Sequence, residues 1–317
     1  MKFRTECRIE IDEIRLSPEK PVIGVGSCFA DNIIRRMKDC LWDAENPFGA
    51  LFNPLSIESA VRLCLSPEPE NIFLDSLFHD KTLIHSFLFD SVFSGFSLEE
   101  VLKKFHNARL NFRQKLIEGR TLIVTFGTAY VYLLKENGRI AANCHKQPAC
   151  LFERKRLSID EITGSWSRLL TDLRSFCPDM RVIFTVSPVR HVKDGLHGNN
   201  LSKATLLLAV EKLCGQFGFC SYFPAYELVT DDLRDYRFYA SDLVHPSETA
   251  IDYIWEKFVE TFLSPEGKRI VREGEAIAKR AAHRHMVAAP DEIEKFNQET
   301  QRLLDDFMSR HHRTNFL

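Results

Sequence analysis

The chain predicts an α/β fold in which a parallel sheet is covered by helices on both faces. Three observations predict it. Val22-Ile23-Gly24-Val25-Gly26-Ser27-Cys28-Phe29-Ala30, with Asp31 to Met37 behind it, reads as strand, tight turn and helix. Apolar runs of strand length then alternate with helical stretches along the chain, the pattern of strands joined by crossover helices. Short polar clusters stand directly after the strands, where open α/β sheets gather ligands.

The 317 residues suffice for one large α/β domain or two small ones, and 44% hydrophobic content is ample for a packed core. Lys plus Arg number 42 against 44 for Asp plus Glu, a net charge of -2. No global field favours nucleic acid or an anionic membrane, and neither partner is expected. Met1 to Arg8 alternates charged and apolar residues without the apolar core of a signal peptide, and no run is long enough to span a bilayer; a cytoplasmic protein is expected. Nine irregularly spaced cysteines fit buried thiols in a reducing compartment.

The alternation of Cys7, Ile9, Ile11 and Ile14 suggests an edge strand or extended lead-in. After Pro21 comes the first buried strand, and Ile33, Ile34, Met37 and Leu41 recur at helical spacing behind the paired glycines. Asn46-Pro47-Phe48-Gly49 through Asn53-Pro54 is a rigid loop, after which Ser56 is expected to cap a helix carrying Ile57, Val61 and Leu65. Residues 66 to 96 are rich in phenylalanine without clean periodicity and read as an insertion lining or covering a site. Ser97 and Glu100 form a capping box for a helix with Val101, Phe105, Ala108 and Phe112 on one face.

Thr121 to Phe126 is a buried strand ending in Gly127-Thr128-Ala129. Asn137-Gly138 then marks a hairpin between Tyr130 and Cys144 that delivers Asn143, Cys144, His145 and Lys146 to one end. Ser158 and Glu161 make a second capping box, Arg181 to Val186 a strand, and Ser187 to His191 a polar loop. Lys193 to Asn200 reads as a polar loop before a helix from about Leu201 to Phe217, and Cys220 to Phe223 as a short strand. Ala240 to Pro246 leads into a helix with Pro246 in its first turn. The division predicted is an α/β domain over residues 1–265 and a charged helical extension over 266–317, broken near Ala289-Pro290.

Chemistry points to the ends of these strands. Ser27 and Cys28 stand at a helix N-terminus, where free N–H groups and the helix dipole favour a thiolate or an oxyanion. Asp242 and His245 offer a carboxylate and an imidazole three residues apart, the pair that activates a hydroxyl or thiol. Gly26-Ser27-Cys28-Phe29-Ala30 spells the signature of the GSCFA-domain family, within the SGNH/GDSL-type hydrolases. Asn46-Pro47-Phe48-Gly49, Phe126-Gly127-Thr128-Ala129, Asn143-Cys144-His145-Lys146, Ser187-Pro188-Val189-Arg190-His191 and Asp242-Leu243-Val244-His245-Pro246 resemble the same family, over roughly residues 20 to 263.

The resemblance implies a three-layer SGNH-hydrolase-like fold with a central parallel sheet, and an enzyme that cleaves an ester or acyl group through an acyl-enzyme. Laid on the relatives' Gly-Asp-Ser, the chain places Cys28 at the nucleophile position, with Ser27 as the alternative and Ala30 and Asn32 fitting the extended pattern. Asp242 and His245 match the relatives' Asp-x-x-His base. The relatives' Gly-x-Asn block is here Gly127-Thr128-Ala129, so the usual side-chain donor to the oxyanion is missing. Backbone groups at Cys28, Gly49 and Gly127, with Thr128, are the expected replacements. Asn46, Asn143, His145, Lys146, Arg190 and His191 are the expected substrate-binding groups, and the Cys28 thiol is expected to ionise more readily than a free one. The substrate class is a small-molecule or carbohydrate O-acyl ester. An acyltransferase and a non-catalytic binding module of the same fold are the alternatives. No cofactor is expected, and Cys144-His145, His283-x-His285 and His311-His312 lack the further ligands of a metal site.

Overall fold

The computed structural model describes residues 4–9, 15–283 and 290–311. In chain order the elements are β1 (Val22–Gly26), α1 (Cys28–Asp39), β2 (Ala44–Glu45), α2 (Pro54–Leu65), α3 (Pro69–Leu74), β3 (Leu77–Asp80), β4 (Leu83–Ser86), α4 (Leu98–Gly119), β5 (Thr121–Phe126), β6 (Tyr130–Leu134), β7 (Ile140–Ala141), β8 (Phe152–Arg156), α5 (Ile159–Phe176), β9 (Arg181–Val186), α6 (Gly195–Gln216), β10 (Cys220–Phe223), α7 (Ala225–Glu227), α8 (Glu248–Phe262), α9 (Pro265–Ala281) and α10 (Pro290–Arg310).

The main sheet has the order β10-β9-β5-β1-β2, and every pairing in it is parallel. β1 and β5 lie side by side at its centre, and the chain leaves them in opposite directions, so the crevice between them is the topological switch point. The central strands β1 and β5 are buried along their whole length, as a sheet covered on both faces requires. On one face Leu122, Val124, Phe126, Phe184 and Val186 pack with Phe112, Trp166, Leu170, Leu206 and Leu213. On the other, Ile123 and Ile183 meet Phe29, Ile33, Met37, Ile254 and Phe258 of α1 and α8. The predicted α/β class holds, and α9 and α10 form the helical C-terminal part, joined through Ile270, Ile277, Leu304 and Phe307.

Local readings fared unevenly. Ser158–Glu161 is a complete capping box, whereas Ser97 caps α4 and Glu100 reaches past it to the N–H of Phe96. The cap of α2 is Asn53, not Ser56; Asn53 Oδ1 accepts the N–H of Ser56, and Pro54 occupies the first turn. Ser247 caps α8, which leaves Pro246 before the helix. Helix α6 begins at Gly195, because the polar stretch expected as a loop is its first two turns. The phenylalanine-rich insertion holds α3 and the β3–β4 hairpin. The Asn-Gly hairpin is present as β6–β7, with Gly138 at φ 70°, and β8 adds a third strand on the other edge of β6. Arg4 to Ile9 form no strand; Ile11, Ile14 and the break at Ala289 lie outside the described residues, as do His285 and His312.

Candidate active site

Gly26 ends β1 at φ 137°, and a Cβ there would lie 2.2 Å from the carbonyl oxygen of Thr125. Only glycine lets β1 and β5 run this close while the chain turns into α1. Ser27 is the cap of α1 and is 1% exposed; its Oγ accepts the N–H of Phe29 at 3.4 Å. Cys28 follows in the first helical position with its side chain partly open. Its Sγ lies 3.7 Å from His245 Nε2.

The histidine is held by its own loop. Asp242 Oδ1 accepts the N–H groups of Val244 (2.9 Å) and His245 (3.0 Å), and Asp242 Oδ2 lies 2.6 Å from His245 Nδ1. One carboxylate thus folds the turn and orients the ring. Those N–H groups and the ring hold the Asp242 carboxyl down to about 2. Leu243 between them takes φ 59°, and Ala240 N–H to His245 O at 2.7 Å closes the loop. Arg190 braces it from the end of β9: its backbone N–H reaches Val244 O, and its guanidinium lies 4.5 Å from the Tyr239 ring centre and bonds Tyr236.

The loop after β2 roofs the switch point. Leu51 N–H donates to Gly26 O at 2.7 Å, and Phe52 O accepts the N–H groups of both Gly127 (2.8 Å) and Thr128 (2.9 Å). These two backbone donors, expected to face an oxyanion, are therefore occupied within the fold. The Thr128 hydroxyl is likewise placed inward, against Ser202 Oγ at 3.1 Å. Asn46 donates to Asp31 Oδ1 and Gly49 O, fastening the loop to α1, and leaves Gly49 at φ 67° on the roof.

Gly127 has another neighbour. A Cβ on it would meet Ser27 Cβ at 3.1 Å and His191 Nε2 at 3.4 Å, so the His191 ring borders the same crevice. Burial foremost, then the charge of Lys203, with smaller contributions from Arg154 and His245, pushes His191 down to about 4, against an opposing pull from Asp194. Its imidazole is neutral at pH 7. Because the unfolded chain protonates this histidine near 6.5 and the native chain near 4, stability falls as pH drops through that window. The expected loss is about 3 kcal/mol, read as a drop in urea midpoint from pH 7 to pH 4. His191→Gln should flatten the dependence; an unchanged slope in that variant would exclude His191 as its source.

The remaining expected ligand-binding groups have these contacts. His145 Nε2 is 2.8 Å from Ser86 O, with its ring against His85 and Phe78, and Asn143 Oδ1 accepts the His145 N–H. These contacts close the hairpin loop onto β4. Lys146 is exposed beyond them. The thiol also departs from expectation: burial first, then Asp31, push Cys28 up, outweighing Lys203 and the N–H groups of Cys28 and Phe29. A partly buried sulphur beside a carboxylate is harder to ionise than its helix position alone implies.

Lys203 was missed by the sequence reading. It lies on α6 with Nζ 2.6 Å from both Gly127 O and Ser187 O, fully buried. The signal was present, since Asn199, Ser202, Lys203, Leu206, Val210 and Leu213 share the buried stripe of this helix.

The sequence pattern of the GSCFA family matches residues 21–258. No curated protein matches the chain. Among solved structures it is similar to a family 3 carbohydrate esterase from Clostridium thermocellum, at 11% identity and a TM-score of 0.34, over 80% of this chain and 97% of that one. It is also similar to an acetyl xylan esterase from the rumen bacterium Butyrivibrio proteoclasticus, at 10% identity and a TM-score of 0.37, over 76% of this chain and 63% of that one.

Proposed function

The chain belongs to the GSCFA family, and from the side chains gathered at its switch point we propose that it hydrolyses O-acyl esters of small molecules or carbohydrates, with Cys28 as nucleophile. The observation that carries this reading is the row Cys28 Sγ, His245 Nε2, His245 Nδ1, Asp242 Oδ2, with gaps of 3.7 and 2.6 Å. A thiol kept protonated by burial needs a base at hand, and His245 is that base. Ser27 is set aside because its hydroxyl is buried in the helix cap.

In the first step His245 takes the thiol proton as sulphur attacks the ester carbonyl carbon. The tetrahedral intermediate then expels the alcohol oxygen, which receives that proton from His245, and a thioester on Cys28 remains. Water attacks the thioester, His245 again accepting and returning a proton, so the acid leaves and the thiol is restored. The N–H groups of Cys28 and Gly49 are assigned to the oxyanion. The neutral His191 ring is assigned as the side-chain donor that the absent asparagine would otherwise supply. Arg190 supports His245 from behind. Tyr130, Tyr132 and Arg154, tied to the turn after His191 through Asp194 and Lys193, form the wall on which a sugar ring would rest.

Incubation with an activated acyl ester, followed by intact-mass measurement after acid quench, tests the reading. One acyl group should be found on the wild type and on Ser27→Ala, and none on Cys28→Ala. Labelling lost in Ser27→Ala and kept in Cys28→Ala would transfer the role to the serine.

A further inference from the structure

The turn after β9 carries a cation that no acid neutralises. Lys193, two residues beyond His191, donates from Nζ to the Tyr132 hydroxyl at 3.0 Å, and among the described residues it forms no ion pair. Its neighbour Asp194 has another partner: the carboxylate, its side chain 2% exposed, pairs with Arg154, whose guanidinium carbon stands 4.0 Å from the ring centre of Tyr130. Tyr132 and Arg154 are direct partners across β6 and β8, and Tyr130 lies two residues away along β6, so the three side chains share one face of that sheet. The sheet thus grips the turn twice, Tyr132 through Lys193 and Arg154 through Asp194. Of the two cations, Arg154 is balanced by a buried carboxylate and Lys193 is not.

This turn borders the crevice. His191 Nε2 and Ser27 Cβ lie 3.4 and 3.1 Å from the place a Cβ on Gly127 would take, and the Asp194 N–H donates back to His191 O at 3.1 Å, so Lys193 belongs to the same turn as His191. On the α1 side the charge is reversed, for Asp31 stands one helical turn from Cys28. An ammonium held in place by a neutral hydroxyl keeps its attraction for an oxyanion, and a partner already fixed lowers the cost of ordering it on binding. We infer that the alcohol half of the ester is a sugar bearing an anionic group, a carboxylate or a phosphate, and that Lys193 holds that group. The inference deepens the esterase reading and rests on Cys28 marking its site.

Free glucuronate, glucose 6-phosphate and glucose, which differ only at the exocyclic carbon, are the probes. The measurement is protection of Cys28 from iodoacetamide, read by peptide mass with the exposed Cys150 as internal reference. At low salt glucuronate or glucose 6-phosphate should protect Cys28 half-maximally at a concentration about tenfold below that of glucose, the better of the two telling carboxylate from phosphate. Sodium chloride at about 0.5 M should shrink the gap. Lys193→Gln should remove it and Lys193→Arg restore it. Lys193 is exposed, so both variants should fold, whereas replacing Arg154 would strand the buried Asp194. Equal protection by all three sugars, protection by none, or a gap that survives Lys193→Gln overturns the inference. Lys193-dependent protection in a protein whose Cys28 is never acylated by an activated ester would instead overturn the esterase reading and leave the anion site standing.

Discussion

His245→Ala is expected to slow hydrolysis of an activated acetate ester by about 10³–10⁴-fold in kcat, with KM little changed. The imidazole is the only ring nitrogen within reach of Cys28 Sγ among the described contacts, and it serves twice, as base to the thiol and as acid to the leaving alcohol. General acid–base groups of this kind contribute roughly 10²–10⁴-fold, and burial of the thiol puts this one toward the upper end. Asp242→Asn should cost up to about 10⁴-fold as well, since the carboxylate both orients the ring and steadies the imidazolium that forms. The carboxyl is held down to about 2, so it stays ionised across the working range. Steady-state kinetics between pH 5 and 9 check both variants, and a His245→Ala protein with near-wild-type kcat would rule out the proposed base.

Legibility of the site in the sequence followed the range of the interactions involved. Gly26-Ser27-Cys28 and Asp242-x-x-His245 were readable because each is a local device: a turn at a helix start, and a carboxylate that caps its own loop while holding a ring three residues on. What the local pattern did not carry was which neighbours occupy a donor. The Gly127 and Thr128 N–H groups looked free until Phe52 O, from a loop some 75 residues earlier, was seen to accept both. The partners of His145 and Asn143 were equally out of local reach or hidden in a turn: the distant Ser86 for the ring and the His145 N–H for the amide. β8 has only Phe152 buried along a charged strand, so its two-residue alternation was invisible. The first turns of α6 are polar and mostly exposed, and they were misread as loop on that account; Lys203 was hidden in the same helix.

Gly26→Ala is expected to damage both stability and the site, although it adds one methyl group outside the reacting atoms. The new carbon would meet Thr125 O at 2.2 Å and Thr125 C at 2.8 Å, and these are backbone atoms of a strand paired on both sides. Neither can turn aside as a flexible side chain would. Thr125 O also accepts the Ser27 N–H at 3.1 Å, so any shift of β5 breaks the first bond of the turn into α1. Alanine at φ 137° is strained in addition. Strain and overpacking of about 1–3 kcal/mol each sum to roughly 2–6 kcal/mol, a large part of the stability of a domain. Gly138→Ala is the matched comparison, with φ 70° but nothing within 4 Å of the added carbon, and it should lose only about 1 kcal/mol. Urea unfolding separates the two. Whatever fraction of Gly26→Ala folds must move α1 relative to β5, which opens the 3.7 Å gap between Cys28 and His245 and should lower acyl labelling of Cys28 at least tenfold. Equal stability of the two alanine variants, with labelling intact, would mean that the close approach of β1 to β5 is not what holds the nucleophile in place.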